Sequence, residues 1–506
     1  MDDDDDRIAI DVSRPDLLHE HADEAVAALA ARNDPTFPRV MVRGNELIRR
    51  TERGELEAFT KASLRDELSR IIIFCTTGKE GERVPVKVPS DVVDTILARD
   101  SAEYAGIARV DRVIDVPVLG ADGRLIDTPG HHPGSRVLYV PDPDLDLPAT
   151  VGEIGTHEDV WHARDLLMDE LLGDFGFEDE ASKANALALL ILPFVREYIG
   201  DHPTPMHLVT APEVGSGKTL LARTALVPGC GVVDLMANVD DEDEMRKRIT
   251  SSLLAGRQAV VLDNINDIAS GVLAGAITTG RWADRKLGES REVRLSVRNV
   301  WVATGNNVGL TSEHNRRAVP IILDPGDVRP SDRPKQAFRH ANLEAWAREN
   351  RGKLVDAALT LVRNWQNGTV QSDGSVVPQA AERTLGSFER WAEVVGGILA
   401  AAGVKGFLGN RDKLMAMSSD EREIAQWFEA WRQLQRGPVS LEELTDLCTA
   451  PNGLLYDALP EHMRASRSDV KKQLQFWLRA NKGAKYGALK LVKQDGRPNR
   501  WDVTAL

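Results

Sequence analysis

The sequence is poor in cysteine: Cys75, Cys230 and Cys448 are the only three in 506 residues, and they lie far apart. A disulfide framework needs several cysteines, and a zinc site needs ligands at short paired spacings. The eleven histidines do not supply such ligands, since none forms an HxxxH or HExxH pattern. The sequence therefore predicts neither a disulfide scaffold nor a zinc centre.

Long apolar runs are also missing. The longest candidate, ALALLILPFV at 186–195, is far shorter than the roughly 20 residues that span a bilayer, and it predicts a buried helix. The N-terminal MDDDDDR is the reverse of the basic start of an export signal, and its aspartates predict a solvated end. We therefore expect a cytoplasmic protein with no membrane partner.

Acidic residues outnumber basic ones, 78 Asp and Glu against 63 Lys and Arg, which gives a formal net charge of −15, but the segment near the C-terminus is strongly basic. Residues 464–500 contain eleven Lys or Arg and two Asp. Such asymmetry is expected when one module of an acidic protein contacts an anionic polymer. The alternative is a basic helix that is merely solvated.

The order of apolar patterns and turn signals predicts five segments. Residues 1–150 combine short strands, Gly-Asn and Asp-Gly turns and helical stretches, which predicts a small α/β domain. A helical linker at 151–205 leads to 206–330, where alternating strands and helices predict a parallel sheet. Apolar residues at helical spacing follow in 331–415. Residues 416–506 read as helices followed by a short β-hairpin.

The stretch APEVGSGKTLL at 211–221 follows the apolar strand MHLVT and leads into a helix. This is the context of a P-loop, in which loop and helix N–H groups converge on phosphate. Pro212 stands where the motif has its first glycine, and a proline can still form the required turn. Lys218 is expected to reach the β- and γ-phosphates, and Thr219 to bind Mg²⁺. The predicted nucleotide-binding residues are Val214, Gly215, Ser216, Gly217, Lys218, Thr219 and Leu220.

Two further apolar strands are predicted to end in polar residues. RQAVVLDNIND (257–267) places Asp263 where a P-loop enzyme holds its magnesium ion. RNVWVATGNN (298–307) ends in Asn306, whose amide can orient water beside the γ-phosphate. The three strand ends in this order are much more specific than the P-loop alone, and they predict a nucleotide site with ATP and Mg²⁺.

These motifs, with the arginine pair in HNRRAVPIILD (314–324), resemble the AAA+ ATPases. They resemble more closely the superfamily III and poxvirus-type primase-helicase-like replication ATPases of phages, prophages and genomic islands. The resemblance covers residues 206–325, extends into the helical segment 335–410, and includes DGRLIDTPGHHPGSRVLYVP before the P-loop.

The resemblance implies an AAA+ core with a helical lid at 331–415 and ATP hydrolysis coupled to DNA. It implies that Asn306 is a sensor residue and that Arg316 or Arg317 reaches the γ-phosphate of a neighbouring subunit. An arginine supplied in trans implies a ring, expected to be a hexamer that can meet other replication proteins. The alternative for the two arginines is an ordinary surface pair.

One departure concerns the residue after Asp263, which is Asn264 where many AAA+ enzymes have a water-polarising glutamate. An amide can position water but cannot accept its proton. We therefore expect slowed rather than abolished hydrolysis, with Asp267 as another candidate acid, because phosphoryl transfer depends mainly on positioning and charge stabilisation.

The segment 278–299 carries six cations and lies where the resembling helicases have a hairpin that grips single-stranded DNA in the ring channel. Lys286, Arg291 and Arg294 are the candidates for phosphate contacts. Arg281 and Arg285 can form salt bridges instead.

The C-terminal segment from Ser466 contains a basic amphipathic helix followed by a basic hairpin, a pattern typical of a winged helix that binds duplex DNA. Val470, Leu474 and Trp477 or Leu478 are expected to face inward, and Trp501 to belong to the core. The candidate DNA contacts of this segment are Arg467, Lys471, Lys472, Lys485, Arg497 and Arg500.

The sequence thus predicts an α/β protein with a P-loop AAA+ core, an N-terminal α/β domain, a helical lid and a C-terminal winged-helix domain. The predicted function is that of a ring-shaped, ATP-dependent DNA helicase or replication initiator of a mobile genetic element. Two alternatives stay open: a primase activity using the aspartates of PDPDLD (141–146), and a remodelling or defence ATPase whose winged helix binds a protein.

Overall fold

The structure is a computed structural model. It describes residues 6–51, 56–212, 215–237, 239, 241–285, 292–324, 326, 338–370, 376–412, 419–434, 437–451, 453–460, 463, 470–486, 489–494 and 498–505. The chain divides into two compact units. The first comprises Met1–Ile265, Ser270–Asn306 and Val319–Leu408, and the second comprises Asn266–Ala269, Asn307–Ala318 and Gly409–Leu506. The predicted segment boundaries stay predictions.

The first part of the first unit is a mixture of short strands and helices. Its strands are β1 (Ile8–Asp11), β2 (Val40–Arg43), β3 (Glu46–Arg50), β4 (Leu56–Ala58), β5 (Ile72–Thr77), β6 (Arg83–Pro85), β7 (Ala108–Arg109), β8 (Arg112–Ile114), β9 (Val118–Leu119), β10 (Leu125–Ile126), β11 (Gly130–His132) and β12 (Val137–Tyr139). Its helices are α1 (Leu18–Arg32), α2 (Lys61–Ile71) and α3 (Ser90–Ala98), with 3-10 turns at Pro15–Leu17 and Ser101–Glu103. The sheets have the orders β1-β5-β6, β4-β3-β2-β7, β11-β12-β8 and β10-β9.

The elements that carry the P-loop follow. They are α4 (His157–Asp165), a π-helical turn (Leu166–Leu171), α5 (Glu180–Ile199), β13 (Met206–Ala211), α6 (Lys218–Cys230), β14 (Leu235–Ala237), α7 (Glu242–Leu254), β15 (Ala259–Ile268), α8 (Gly271–Thr278), β16 (Arg281–Arg285), β17 (Glu292–Ser296), β18 (Val300–Leu310), α9 (Ser312–Asn315) and β19 (Ala318–Ile322). Five of these strands form one sheet in the order β14-β15-β18-β13-β19, with β13 parallel to β18 and β14 parallel to β15. The order puts the strand of Asn306 between the P-loop strand and the strand of Asp263.

Helix α5 is the predicted buried helix. Asp179 caps its first turn by accepting a hydrogen bond from the backbone N–H of Ser182, and residues 186–195 are all buried. Among the described residues, no helix combines the length and the apolarity needed to cross a membrane.

The remaining elements of the first unit are mainly helical: α10 (Leu343–Glu349), α11 (Arg351–Asn367), β20 (Thr369–Val370), β21 (Val376–Val377) and α12 (Glu389–Ala401). The prediction of an all-helical segment at 335–410 misses the small antiparallel β20–β21 pair. The predictions that β15 ends at Asp263 and β18 at Asn306–Asn307 are also wrong, because both strands continue beyond these residues. Trp365 and Trp391 are buried, as their helical spacing predicts.

Arg351, the first residue of α11, joins three parts of the first unit. Its guanidinium donates two hydrogen bonds to the Asp115 carboxylate, at 2.8 and 3.0 Å, and one of 2.9 Å to Asp142. Its Nε donates to the carbonyl oxygen of Val227 near the end of α6, at 3.0 Å. With 7% of Arg351 exposed, the charge is stabilised by these partners rather than by water.

Replacing Arg351 with alanine is expected to lower the free energy of unfolding by about 1–3 kcal/mol, because the half-buried carboxylates of Asp115 and Asp142 lose the guanidinium that they accept hydrogen bonds from. Urea denaturation measures the change. The matched control is Arg70→Ala, which removes an exposed i,i+4 pair with Asp66 and should cost less than about 0.5 kcal/mol. Equal costs for the two variants would contradict this role of Arg351.

The second unit contains a C-terminal helical bundle with a small sheet. Its C-terminal elements are α13 (Ser419–Gln433), β22 (Val439–Ser440), α14 (Leu441–Thr449), α15 (Leu454–Asp457), α16 (Val470–Ala480), β23 (Lys485–Tyr486), β24 (Leu489–Gln494) and β25 (Arg500–Ala505). The sheet is antiparallel in the order β22-β25-β24-β23. The hydrophobic core of these elements contains, as predicted, Val470, Leu474, Leu478 and Trp501. Trp477 is half-buried and packs against this core.

Candidate nucleotide site

The P-loop joins the buried strand β13 to helix α6. Gly215 and Gly217 have φ angles of 81° and 88°, in the left-handed region that glycine adopts without strain. Gly217 is the N-cap of α6, so the helix begins at Lys218, and the N–H groups of its first turn have no acceptor within the helix. A Cβ at Gly217 would lie 3.5 Å from the ring of Phe175, a neighbour that the sequence did not suggest. Val214 lies outside the described residues.

Lys218 is held inside the site rather than in solvent. Its Nζ donates to Asn306 Oδ1 at 2.6 Å and to Ser216 Oγ at 2.9 Å. Only 8% of the residue is exposed. Burial lowers the pKa of the ammonium from its ordinary value, and the Asp263 carboxylate opposes this shift. A phosphate group at the loop would stabilise the same charge, so the site is suited to an anion.

Thr219, the residue after Lys218, contacts Asp263 on the neighbouring strand β15. Thr219 Oγ1 donates to Asp263 Oδ1 at 2.7 Å. A hydroxyl and a carboxylate oxygen are the hard donors that Mg²⁺ prefers, and such sites are completed by water and nucleotide phosphates. No group of three or more His, Cys, Asp or Glu that could hold a metal occurs in the described ranges. The two oxygens fit a magnesium ion carried by a nucleotide.

Thr304 completes this group and was missed from the sequence. Its Oγ1 donates to Asp263 Oδ1 at 2.7 Å and accepts the backbone N–H of Asn264 at 3.0 Å. Thr304 lies two residues before Asn306 on β18, and residues at i and i+2 share one face of a strand. The i, i+2 spacing from Asn306 could have pointed to Thr304, but threonine is so common in strands that this spacing alone does not identify a site residue.

Replacing Thr304 with valine is expected to lower kcat for ATP hydrolysis about tenfold, because the Asp263 carboxylate loses a donor that orients it. Steady-state hydrolysis at saturating ATP and Mg²⁺ measures the change. Thr210→Val is the matched control, since Thr210 is also 1% exposed, belongs to the same sheet, and its hydroxyl has no hydrogen-bond partner in the part of the chain described. A similar loss in both variants would mean a packing effect.

The backbone conformation at position 264 explains why asparagine is found there. Its φ angle is 53°, a left-handed conformation that asparagine and aspartate tolerate much better than glutamate does. Its side chain is exposed, which leaves it accessible to water near Asp263. The side chain of Asp267, the other candidate acid, lies outside the described residues.

Changing Asn264 to aspartate is expected to raise kcat about tenfold, because a carboxylate can accept the proton of the attacking water without new backbone strain. The change is measured in the same hydrolysis assay, with Asn264→Gly as the control that removes the amide, adds no base and also accepts the left-handed φ angle. An aspartate variant no faster than the wild type would show that proton transfer does not limit the reaction.

Arg316 and Arg317 lie in the second unit, after α9. Arg316 is exposed. Arg317 donates to the carbonyl oxygen of Glu313 at 2.8 Å and forms an ion pair with the Glu313 carboxylate at 3.1 Å. Arg317 is therefore engaged within its own turn.

The cationic segment 278–299 contains the antiparallel pair β16–β17, with Arg285 opposite Glu292. Trp282 anchors the pair by donating its Nε1–H to Thr250 at 2.9 Å. Asn45 holds the outer edge, where its Nδ2 donates to the carbonyl oxygen of Glu292 at 2.9 Å. Arg294 is exposed and donates to Glu292 Oε1 at 2.9 Å. Lys286 and Arg291 lie outside the described residues.

Three of the C-terminal candidates, Lys471, Lys472 and Arg500, have side chains among the described residues of the second unit. Lys471 and Lys472 are exposed on α16, and Lys471 Nζ lies 3.5 Å from Glu442. Arg500 donates to the carbonyl oxygen of Pro438 at 2.8 Å. Arg467, Arg497 and the side chain of Lys485 lie outside the described residues.

Comparisons with known proteins identify no family: no family model and no curated protein matches the chain. Two helicases are among the solved structures that align with it. A structure of JCV helicase with a bound phenoxyphenyl acetamide is 12% identical, covers 52% of this chain and 73% of its own, and has a TM-score of 0.22. The SCCmec type IV Cch active helicase is 10% identical, covers 92% and 85%, and has a TM-score of 0.29. Both TM-scores are low, and the assignment below rests on the geometry of the site.

Proposed function

We propose that the chain is an ATP hydrolase of the DNA helicase type. The observation that carries this proposal is the convergence of four side chains at one end of the sheet: Lys218 bonded to Asn306, and Thr219 bonded to Asp263. Together they supply a cation for phosphate, two oxygens for Mg²⁺ and an amide for water, which are the parts that phosphoryl transfer needs.

In the proposed reaction the chain binds ATP with Mg²⁺, which would be held by Thr219 and Asp263 and would neutralise charge on the phosphates. Lys218 leaves its bond with Asn306 and turns its charge to the β- and γ-phosphates. The Asn306 amide is then available to orient water. Thr304 keeps the Asp263 carboxylate in place throughout.

The finer parts of the proposal concern DNA and assembly. A ring, proposed as a hexamer, would bring Arg316 or Arg317 of one subunit to the γ-phosphate of its neighbour; Arg316 is the more exposed of the two. Single-stranded DNA would run past the β16–β17 hairpin and Arg294. The C-terminal unit, proposed as a winged helix, would bind duplex DNA. We also propose that the protein serves replication of a mobile element.

Separation of a labelled forked duplex in the presence of ATP and Mg²⁺ tests this function. Strand separation is expected for the wild type and not for Lys218→Ala. Sedimentation velocity with ATP, in parallel, should show a species larger than the monomer. Hydrolysis of ATP without strand separation or DNA binding would instead favour the remodelling ATPase.

A further inference from the structure

Helix α16 of the C-terminal bundle has one apolar face and one cationic face. Val470, Leu474 and Leu478 are buried at i, i+4 and i+8 in the core of the unit. Lys471, Lys472 and Arg479 are exposed. The helix is thus anchored along one side and presents its charges on the other.

A polar groove runs beside this cationic face. Lys471, Gln475 and Arg479 line it from α16, again at i, i+4 and i+8, and Lys482 and Lys493 line it from the segments that follow. Its volume is about 460 Å³. Among the described residues that line the groove, four are cationic and one, Glu442, is acidic. This charge suits the phosphates of a nucleic-acid strand.

Phe476 lies on the cationic face of α16 and directly follows Gln475, which lines the groove. It is 77% exposed, more than the other large hydrophobic residues of the described chain. A single exposed apolar side chain is ordinary on a protein surface. The position of Phe476 is unusual, because Lys472 precedes it by one helical turn and Arg479 follows it at i+3. An anionic partner bound by these two cations would therefore contact the Phe476 ring.

We propose that Phe476 reads the methyl group of thymine in the major groove of duplex DNA, while the groove cations hold the adjacent phosphates. An α-helix of about 10–12 Å diameter fits a major groove about 12 Å wide. The thymine methyl is the apolar feature of that groove, and phenylalanine is among the side chains that contact it. Lysine and arginine contacts to phosphate give affinity without sequence information. The inference rests on the proposed DNA-binding role of the C-terminal unit and gives it a base preference.

The test begins with selection of bound duplexes from a pool with a random 12-base-pair core, using the full chain. The enriched duplex is then synthesised with thymine or with deoxyuracil, which lacks only the methyl group. The wild type should bind the thymine duplex about fourfold more tightly, the value of one buried methyl group. Phe476→Ala should bind both duplexes with the same weaker affinity.

Arg479→Ala is the matched control on the same helix. It should weaken binding to both duplexes by the same factor and reduce the slope of log K against log salt by about one, whereas Phe476→Ala should leave that slope unchanged. Because Phe476 is exposed, its variant should melt at the wild-type temperature.

Three outcomes would overturn the inference. The first is thymine preference that survives in Phe476→Ala. The second is selection without enrichment of thymine. The third is a loss on Phe476→Ala that is larger on single strands than on duplexes, which would indicate base stacking. An absence of any duplex binding by the wild type would also overturn the proposed DNA-binding role of this unit, while leaving the ATPase assignment to its own assay.

Discussion

Replacing Lys218 with alanine is expected to reduce the steady-state rate of ATP hydrolysis by about 100- to 1000-fold, the loss typical of removing one preorganised group from a developing charge. The ammonium is buried and donates hydrogen bonds to Ser216 Oγ and Asn306 Oδ1, both neutral acceptors. Binding ATP replaces these neutral acceptors with charged phosphate oxygens, which hold an ammonium more strongly.

The Lys218→Ala variant should lose hydrolytic activity without losing thermal stability. Because burial disfavours the Lys218 charge in the nucleotide-free protein, its removal should not lower the melting temperature. Lys61→Ala is the matched control, since Lys61 also begins a helix but is exposed and pairs with Asp94. If Lys218→Ala kept more than a tenth of the wild-type rate, the loop would not be the site of hydrolysis.

Replacing Asp263 with asparagine is expected to reduce hydrolysis at least about 100-fold. The amide oxygen can still accept hydrogen bonds from Thr219 and Thr304, so the change removes the negative charge and little else. Mg²⁺ would then be held by one neutral hydroxyl from the chain. We expect the apparent Mg²⁺ requirement to rise steeply, as measured by hydrolysis over a magnesium titration.

The two variants should differ in how they bind nucleotide. Titration with a fluorescent ATP analogue in EDTA should show weakened binding for Lys218→Ala and wild-type binding for Asp263→Asn. Asp324→Asn, placed after the neighbouring strand β19, is the control for a carboxylate near the same sheet. Normal magnesium dependence in Asp263→Asn would exclude Asp263 as a metal ligand.

The parts of the site that adjoin strand ends could be predicted from the sequence. Lys218, Asp263 and Asn306 follow or close apolar runs, and the carboxyl ends of parallel strands meet at one edge of a sheet. The structure brings these three together. It also extends β15 and β18 past the expected ends, because the pattern of apolar residues says where a strand is buried and not where its pairing stops.

Other features depend on tertiary context that a sequence pattern does not carry. The left-handed backbone of Asn264 gives a structural reason for an amide where a glutamate was expected. Arg351 binds Asp115 and Asp142, both more than 200 positions earlier in the chain, and no local spacing announces such a contact. Asp142, one of the PDPDLD aspartates of the primase alternative, is thus a partner of Arg351.

The C-terminal unit illustrates a third case. Helical periodicity predicted which residues of α16 are buried, and charge counting predicted its basic face. The same periodicity puts Phe476, two residues from both Leu474 and Leu478, opposite the buried face, but it does not say how far the ring is exposed, which the structure gives as 77%.

Steady-state ATP hydrolysis with and without single-stranded DNA tests the central claim most directly, with Lys218→Ala measured beside the wild type. The proposed function predicts hydrolysis that single-stranded DNA stimulates and that disappears in the variant. Hydrolysis that is the same with and without DNA, or that survives the loss of Lys218, would contradict it.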